Sequence, residues 1–252
     1  MWTLLYVLEL RGELTEWHPF WGSIDNKYIV LLRNLFLTGS YSHLWYLLAL
    51  IWGMAIILFL KKVRIKSCNI FLISLLFYAI GVVLSSYYGA LGGSLKNLAD
   101  MYYSFFFSVK CGLFVGFPFM SLGLVMSDDV KFWNPKLLLG IFAVLRAAEV
   151  LFIKAYDLDY GMDLTITMMP LVALIAYNVI QMDVKANRCT LFLRYSSIVI
   201  YLVHMKFVNM AGSISENATT QYLFVIILSL GVAGIAYWLT NKMKLKFLKW
   251  VF

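Results

Sequence analysis

From Trp45 to Leu60 the chain carries no charged side chain, and the run ends abruptly at Lys61-Lys62-Val63-Arg64-Ile65-Lys66. With His43 and Leu44 ahead of it, this stretch approaches the length of about 20 residues that crosses a bilayer. The same pattern returns at about Asn69–Tyr88, Phe105–Met126, Leu137–Ile153, Leu164–Met182, Tyr195–Gly212 and Tyr222–Thr240. Residues 1–8 are apolar but too short to span, and they read as part of a crossing. The predicted fold is all-α: a polytopic transmembrane helix bundle of seven full spans plus a partial N-terminal span, in one integral membrane domain covering 1–252.

The polar positions organise the remainder. Residues 9–42 mix charges with Trp17, Phe20 and Trp21. Tyr28 to Leu37 is apolar, with Lys27 and Arg33 placed on it, which suits a helix lying along the membrane surface or a surface loop with one amphipathic turn. Residues 89–104 read as a glycine-rich loop, and 241–252 as a basic interfacial tail. Gly112, Gly116, Pro118 and Gly123 on the third span mark close packing or a kink. Lysine and arginine concentrate after the first, third, fifth and seventh spans, whereas the loops after the second, fourth and sixth are glycine-rich, acidic or polar. The positive-inside rule then places the C-terminus in the cytoplasm, and His43 and residues 9–42 outside. Asn217-Ala218-Thr219 fits a glycosylation sequon on that outer side, and is expected to be a chance match.

Composition agrees with the pattern. The chain is 62% hydrophobic and 13% charged with mean hydropathy +0.82, where soluble domains are about 25% charged. Its net charge of +8 sits in short clusters between apolar runs rather than in a groove for nucleic acid. Cys68, Cys111 and Cys189 have unrelated spacings and are expected to be free thiols, with no disulfide or metal framework. No nucleophile elbow, phosphate-binding loop or zinc motif is present.

An ionisable side chain inside a span costs about 2.5–3.5 kcal/mol on insertion scales, so each requires a reason. Arg146 and Glu149 stand at i, i+3, either as a buried ion pair or with Glu149 lining a polar cavity and handling a proton or a substrate hydroxyl. Lys110 lies near the outer end of the third span, where its amine can reach the interface. Ser197, Tyr201 and His204 share one helix stripe. His43, Lys110, Glu149, His204 and Lys206 all fall in the outer half of the bundle, the placement an outward-opening polar cavity requires.

Three stretches resemble the bacterial acyltransferase-3 family of integral membrane proteins. His43-Leu44-Trp45-Tyr46-Leu47 is similar to its "H-[LF]-W-[FY]-L" helix. Lys110-Cys111-Gly112-Leu113-Phe114-Val115-Gly116-Phe117-Pro118-Phe119, continuing to Gly123, is similar to its "R-x-G-[LI]-F-x-G-x-P-F-x-x-x-G" helix, with Lys for Arg. Leu193-Arg194 through Ser197, Ile200-Tyr201 and His204 is similar to its "L-R-x-x-S-x-x-I-Y-x-x-H" helix. The nearest branch includes the membrane domain of vancomycin-resistance serine racemases.

The resemblance implies a ten-span bundle in the bacterial cytoplasmic membrane. It implies transfer of an acyl group, usually acetyl, from acyl-CoA to a hydroxyl of an extracytoplasmic carbohydrate or cell-envelope polymer. No bound cofactor is implied. The family's histidine, in an Arg/Lys-x(10)-His pattern on the first span, has no counterpart here, so about two and a half N-terminal spans are expected to be missing. Glu149 and His204 become the candidate catalytic groups, and His43, Trp45, Tyr46, Lys110 and Tyr201 the candidate substrate-binding ones. Trp45 and Tyr46 would stack on an acceptor ring, and Lys110 would hold an anionic group. The rival reading is a non-catalytic membrane carrier or binding domain for a small amino acid or an envelope precursor.

Overall fold

A computed structural model describes residues 45–106, 108–127, 131–182, 187–214 and 217–242. The predicted surface helix near 28–37, the opening His43 and the tail beyond 242 lie outside the described residues. The described residues form helices and loops without a strand, as the hydropathy pattern predicts. They divide into two units, Met1–Met182 and Asp183–Phe252.

In the first unit, α1 (Trp45–Lys62) and α2 (Ser67–Ser86) are long and apolar enough to cross a membrane. Between them Arg64 adopts a left-handed φ of 63°. Its amide bonds Lys61 O, and the amide of Ile65 bonds Leu60 O, which closes the carbonyl end of α1 as a Schellman turn. A short 3-10 turn at Tyr88–Ala90 leads into α3 (Gly93–Phe105). Much of the predicted glycine-rich loop is therefore helical, and Ala99 and Tyr103 are buried on one face of it.

The third predicted span, Phe105–Met126, is not one helix. α3 ends at Phe105, and the chain resumes as a π-helical turn at Gly112–Gly116 followed by α4 (Phe117–Met126). Pro118 explains the change of register. It has no amide to give Phe114, so the ladder widens and the Phe117 amide bonds Gly112 O instead. The turn also brings Gly112 and Gly116 against Ala49, Trp52 and Gly53 of α1. A Cβ on Gly116 would stand 1.9 Å from Ala49 O, and one on Gly53 would stand 2.6 Å from the Gly116 carbonyl carbon. Small residues four apart on both elements thus permit main-chain contact. Ser74 of α2 and Ser121 of α4 share a hydrogen bond of 2.5 Å, the usual means of joining membrane helices.

α5 (Pro135–Ala155) begins where Asn134 Oδ1 accepts from the Leu137 amide and Pro135 occupies the first turn. α6 (Met168–Ile180) is shorter than the predicted Leu164–Met182, because residues 164–167 are a non-helical lead-in that closes in a turn at 166–167. The core of the unit gathers Tyr78, Val82, Val109, Phe114, Leu164 and Met169.

In the second unit α7 (Arg188–Ile214) and α8 (Ala218–Lys242) pack as a hairpin, with Phe192 near the start of α7 edge-on to Tyr237 near the end of α8 at 5.4 Å. Both contain membrane-length apolar runs. Asn217 accepts from the Thr219 amide at 2.9 Å, so the sequon-like triplet serves as the cap of α8.

Candidate functional site

The polar chemistry of the first unit converges on residues 158–167, the chain between α5 and α6. Buried backbone outside a regular helix needs partners for its polar groups, and the end of α2 supplies them. Ser85 O accepts from the Tyr160 amide at 2.9 Å. Ser85 Oγ accepts from the amides of Asp163 at 2.9 Å and Leu164 at 3.3 Å, and donates to Gly161 O. Ser86 Oγ donates to Leu164 O, and the Tyr78 hydroxyl to Thr165 O at 2.6 Å. Leu164 and Thr165 are accordingly buried.

Glu149 closes the other side. Its Oε1 accepts from the Tyr87 hydroxyl at 2.9 Å and the Ile166 amide at 2.7 Å. Its Oε2 accepts from the Thr167 amide at 2.9 Å and from Thr167 Oγ1. A carboxylate offers about four acceptor positions, and here four donors use them. The two amides belong to the turn that starts α6, whose first N–H groups have no partner within the helix. Glu149, 8% exposed, is thus an N-terminal cap supplied by a neighbouring helix. Arg146 does not pair with it. Its Nη1 donates to Thr165 Oγ1, so Arg146 and Glu149 of α5 hold the same three-residue lead-in.

Lys110 lies in a tight turn ahead of the π turn rather than within a helix, with the Cys111 amide bonded to Val109 O at 2.8 Å across it. Its Nζ pairs with Asp163 Oδ1 at 2.8 Å, and Ser108 Oγ donates to Asp163 Oδ2 at 3.3 Å. Because the lysine is 42% exposed, the pair contributes little. Lys110→Met is expected to change stability by about 1 kcal/mol or less, a shift of a few degrees at most in a thermal melt of the detergent-solubilised chain. Beside it Tyr103 stacks on Tyr160 at 4.0 Å, and Lys96 lies 5.5 Å from the Tyr88 ring centre. Burial, then the neighbouring Tyr160 and Asp163, push the Tyr103 phenol above its ordinary range.

The remaining predicted residues fall elsewhere. Trp45 and Tyr46 open α1 with their rings edge-on at 6.0 Å, and Tyr46 is exposed. Tyr201 and His204 belong to the second unit, half-buried on α7, with ring centres 6.1 Å apart. His204 Nδ1 lies 3.0 Å from Ile200 O and 2.9 Å from Tyr201 O. A carbonyl there selects the tautomer with the proton on Nδ1, leaving the lone pair on Nε2. Ser197 turns back to Arg194 O at 2.9 Å and is exposed.

Sequence reasoning singled out Lys110, Arg146 and Glu149 and missed their side-chain partners, Asp163 for the lysine, Thr165 for the arginine, and Tyr87 and Thr167 for the glutamate. The available signal was hydroxyl residues inside apolar runs, at Ser85, Ser86, Thr165 and Thr167.

An amino-acid racemase of Enterococcus faecalis is 27% identical over 154 residues, covering 58% of this chain and 21% of that protein. The chain therefore corresponds to about a fifth of that relative's length. No solved structure matches. The profile of the acyltransferase-3 family, described as an acyltransferase domain, matches residues 1–238, so the chain belongs to that family of membrane proteins.

Proposed function

We propose that the protein takes part in moving an acyl group, with acetyl as the proposed group, from acyl-CoA to a hydroxyl of an extracytoplasmic carbohydrate or cell-envelope acceptor. The family match over residues 1–238 carries this reading. The bacterial cytoplasmic membrane is the proposed location, with the C-terminus on the cytoplasmic side. The reaction replaces a thioester C–S bond by an ester C–O bond. The acceptor hydroxyl needs a base for its proton, and the departing CoA thiolate needs a proton in return. His204 is our candidate for that base, because its Nδ1–carbonyl contacts orient the ring and put the lone pair on Nε2. Glu149 we place in a positioning role, since its acceptor sites already hold α6. Trp45, Tyr46, Lys110 and Tyr201 remain proposed acceptor contacts, together with His43, which lies outside the described residues.

The test is acylation of the envelope by the complete gene product in intact cells. His204→Ala is expected to reduce it by a factor of about 100 or more while the protein accumulates normally. Unchanged acylation would remove His204 from the reaction. The racemase relative favours a second reading, a membrane carrier for a small amino acid. Saturable amino-acid uptake with no acylation would support the carrier and exclude the transferase.

A further inference from the structure

A groove of about 460 Å3 follows α2 in the first unit, within the usual size range of a small-molecule site. Leu75, Ala79 and Val83, at i, i+4 and i+8, line one wall, and Ile166, Met169 and Pro170 line the other. The phenol groups that reach it are committed elsewhere, Tyr78 to Thr165 O and Tyr87 to Glu149. The side chains of the groove therefore offer an occupant no hydrogen-bond donor, and its contents must be apolar.

Position and length narrow the occupant. α2 is a membrane-length helix that ends at Ser86, so Tyr87 marks its interface end. From Tyr87 to Leu75 is about 18 Å of helix at roughly 1.5 Å per residue. Half of a hydrocarbon core about 30 Å thick is about 15 Å. The groove thus starts at the interface and stops near the mid-plane, the depth of one leaflet. It is also open at its rim, where Val83 is 40% and Ile166 62% exposed, while Met169 in its floor is 4% exposed.

We propose that this groove holds a single hydrocarbon chain of a lipid from one leaflet, entering sideways from the bilayer. The occupant is a phospholipid of the surrounding bilayer, whose chain length matches the one-leaflet depth of the groove. The inference rests on the membrane location and not on acyl transfer, so it can fail while the transferase reading stands.

The experiment uses the full chain in phosphatidylglycerol nanodiscs doped with a phospholipid bearing a diazirine midway along one chain. After photolysis, adducts are mapped by mass spectrometry. Met169 is expected to be labelled severalfold more than Leu72 and Leu76, which are 57% and 62% exposed on α2 and meet bulk lipid. Ala79→Phe, which fills the groove from an exposed position, should lower the Met169 adduct severalfold and leave that on Leu72 intact. Labelling of Met169 at or below the level of Leu72 in the wild type overturns the proposal, because the groove is then filled by protein or empty. That comparison needs no variant to fold. Excess polyprenyl phosphate that removes the Met169 adduct overturns the phospholipid assignment in favour of a lipid-linked occupant. An unchanged adduct identifies a phospholipid.

Discussion

Glu149→Gln is expected to lower the thermal midpoint of the detergent-solubilised chain by roughly 6–12 °C, from a loss of about 3 kcal/mol at about 2–4 °C per kcal/mol. The substitution keeps the shape of the side chain but replaces one acceptor oxygen by an NH2 donor. Each carboxylate oxygen now accepts one backbone amide and one hydroxyl, Ile166 N with Tyr87 on one side and Thr167 N with Thr167 Oγ1 on the other. Either orientation of the amide therefore sets a donor against a main-chain donor. The hydroxyls can rotate away, but the peptide N–H cannot, and a buried donor without a partner costs about 1–3 kcal/mol. Glu149→Ala leaves both amides bare and should be worse. A midpoint shift of only a degree or two for the Gln variant would contradict the capping role and return Glu149 to the list of groups able to carry a proton.

Gly116→Ala is expected to destabilise the first unit by about 3 kcal/mol or to prevent its accumulation in membranes, because the added methyl meets main chain and not a movable side chain. Its Cβ would lie 1.9 Å from Ala49 O and 2.6 Å from Ala49 C, so α1 must withdraw as a body. Trp45 and Tyr46, one turn before Ala49, would withdraw with it. Gly123 supplies the control on the adjoining helix α4. A Cβ there meets nothing within 4 Å, so Gly123→Ala should be neutral or gain about 0.5–1 kcal/mol from helix propensity. Membrane-fraction yield and thermal midpoint of the two variants, measured side by side, decide the matter. Equal behaviour would mean that α1 does not pack on the π turn as described.

What was legible in the sequence is what one helix decides alone. Uniform apolarity and the basic cluster at 61–66 place α1 and α2 within a few residues of their observed ends, and the predicted span Leu137–Ile153 lies within α5. The break between α3 and the π turn was hidden because Lys110 stands among mostly apolar residues and reads as a snorkelling side chain, while Gly112, Gly116, Pro118 and Gly123 pointed to close packing or a kink and not to where the helix stops. The Arg146–Glu149 spacing suggested an ion pair, since i, i+3 residues share a face. Which group a buried charge meets is settled by unsatisfied backbone, and here that backbone is the 165–167 lead-in, more than fifteen residues away. Asp163 reads in sequence as part of a solvated acidic turn, and only the fold shows it facing Lys110. The stripe of Ser197, Tyr201 and His204 came from helical spacing alone; Ser197 is exposed while Tyr201 and His204 are half-buried, and the carbonyl contacts of His204 lie within its own helix.

The proposed acyl transfer across a membrane is tested most directly in sealed inside-out vesicles carrying the protein. Acyl-CoA labelled in the acyl group is supplied outside, at the former cytoplasmic face, and the envelope acceptor is enclosed within. The account predicts labelled acceptor in the lumen, formed in proportion to the protein and lost in His204→Ala. Label that stays entirely on the donor, in vesicles shown to be sealed and to contain the folded chain, would contradict it.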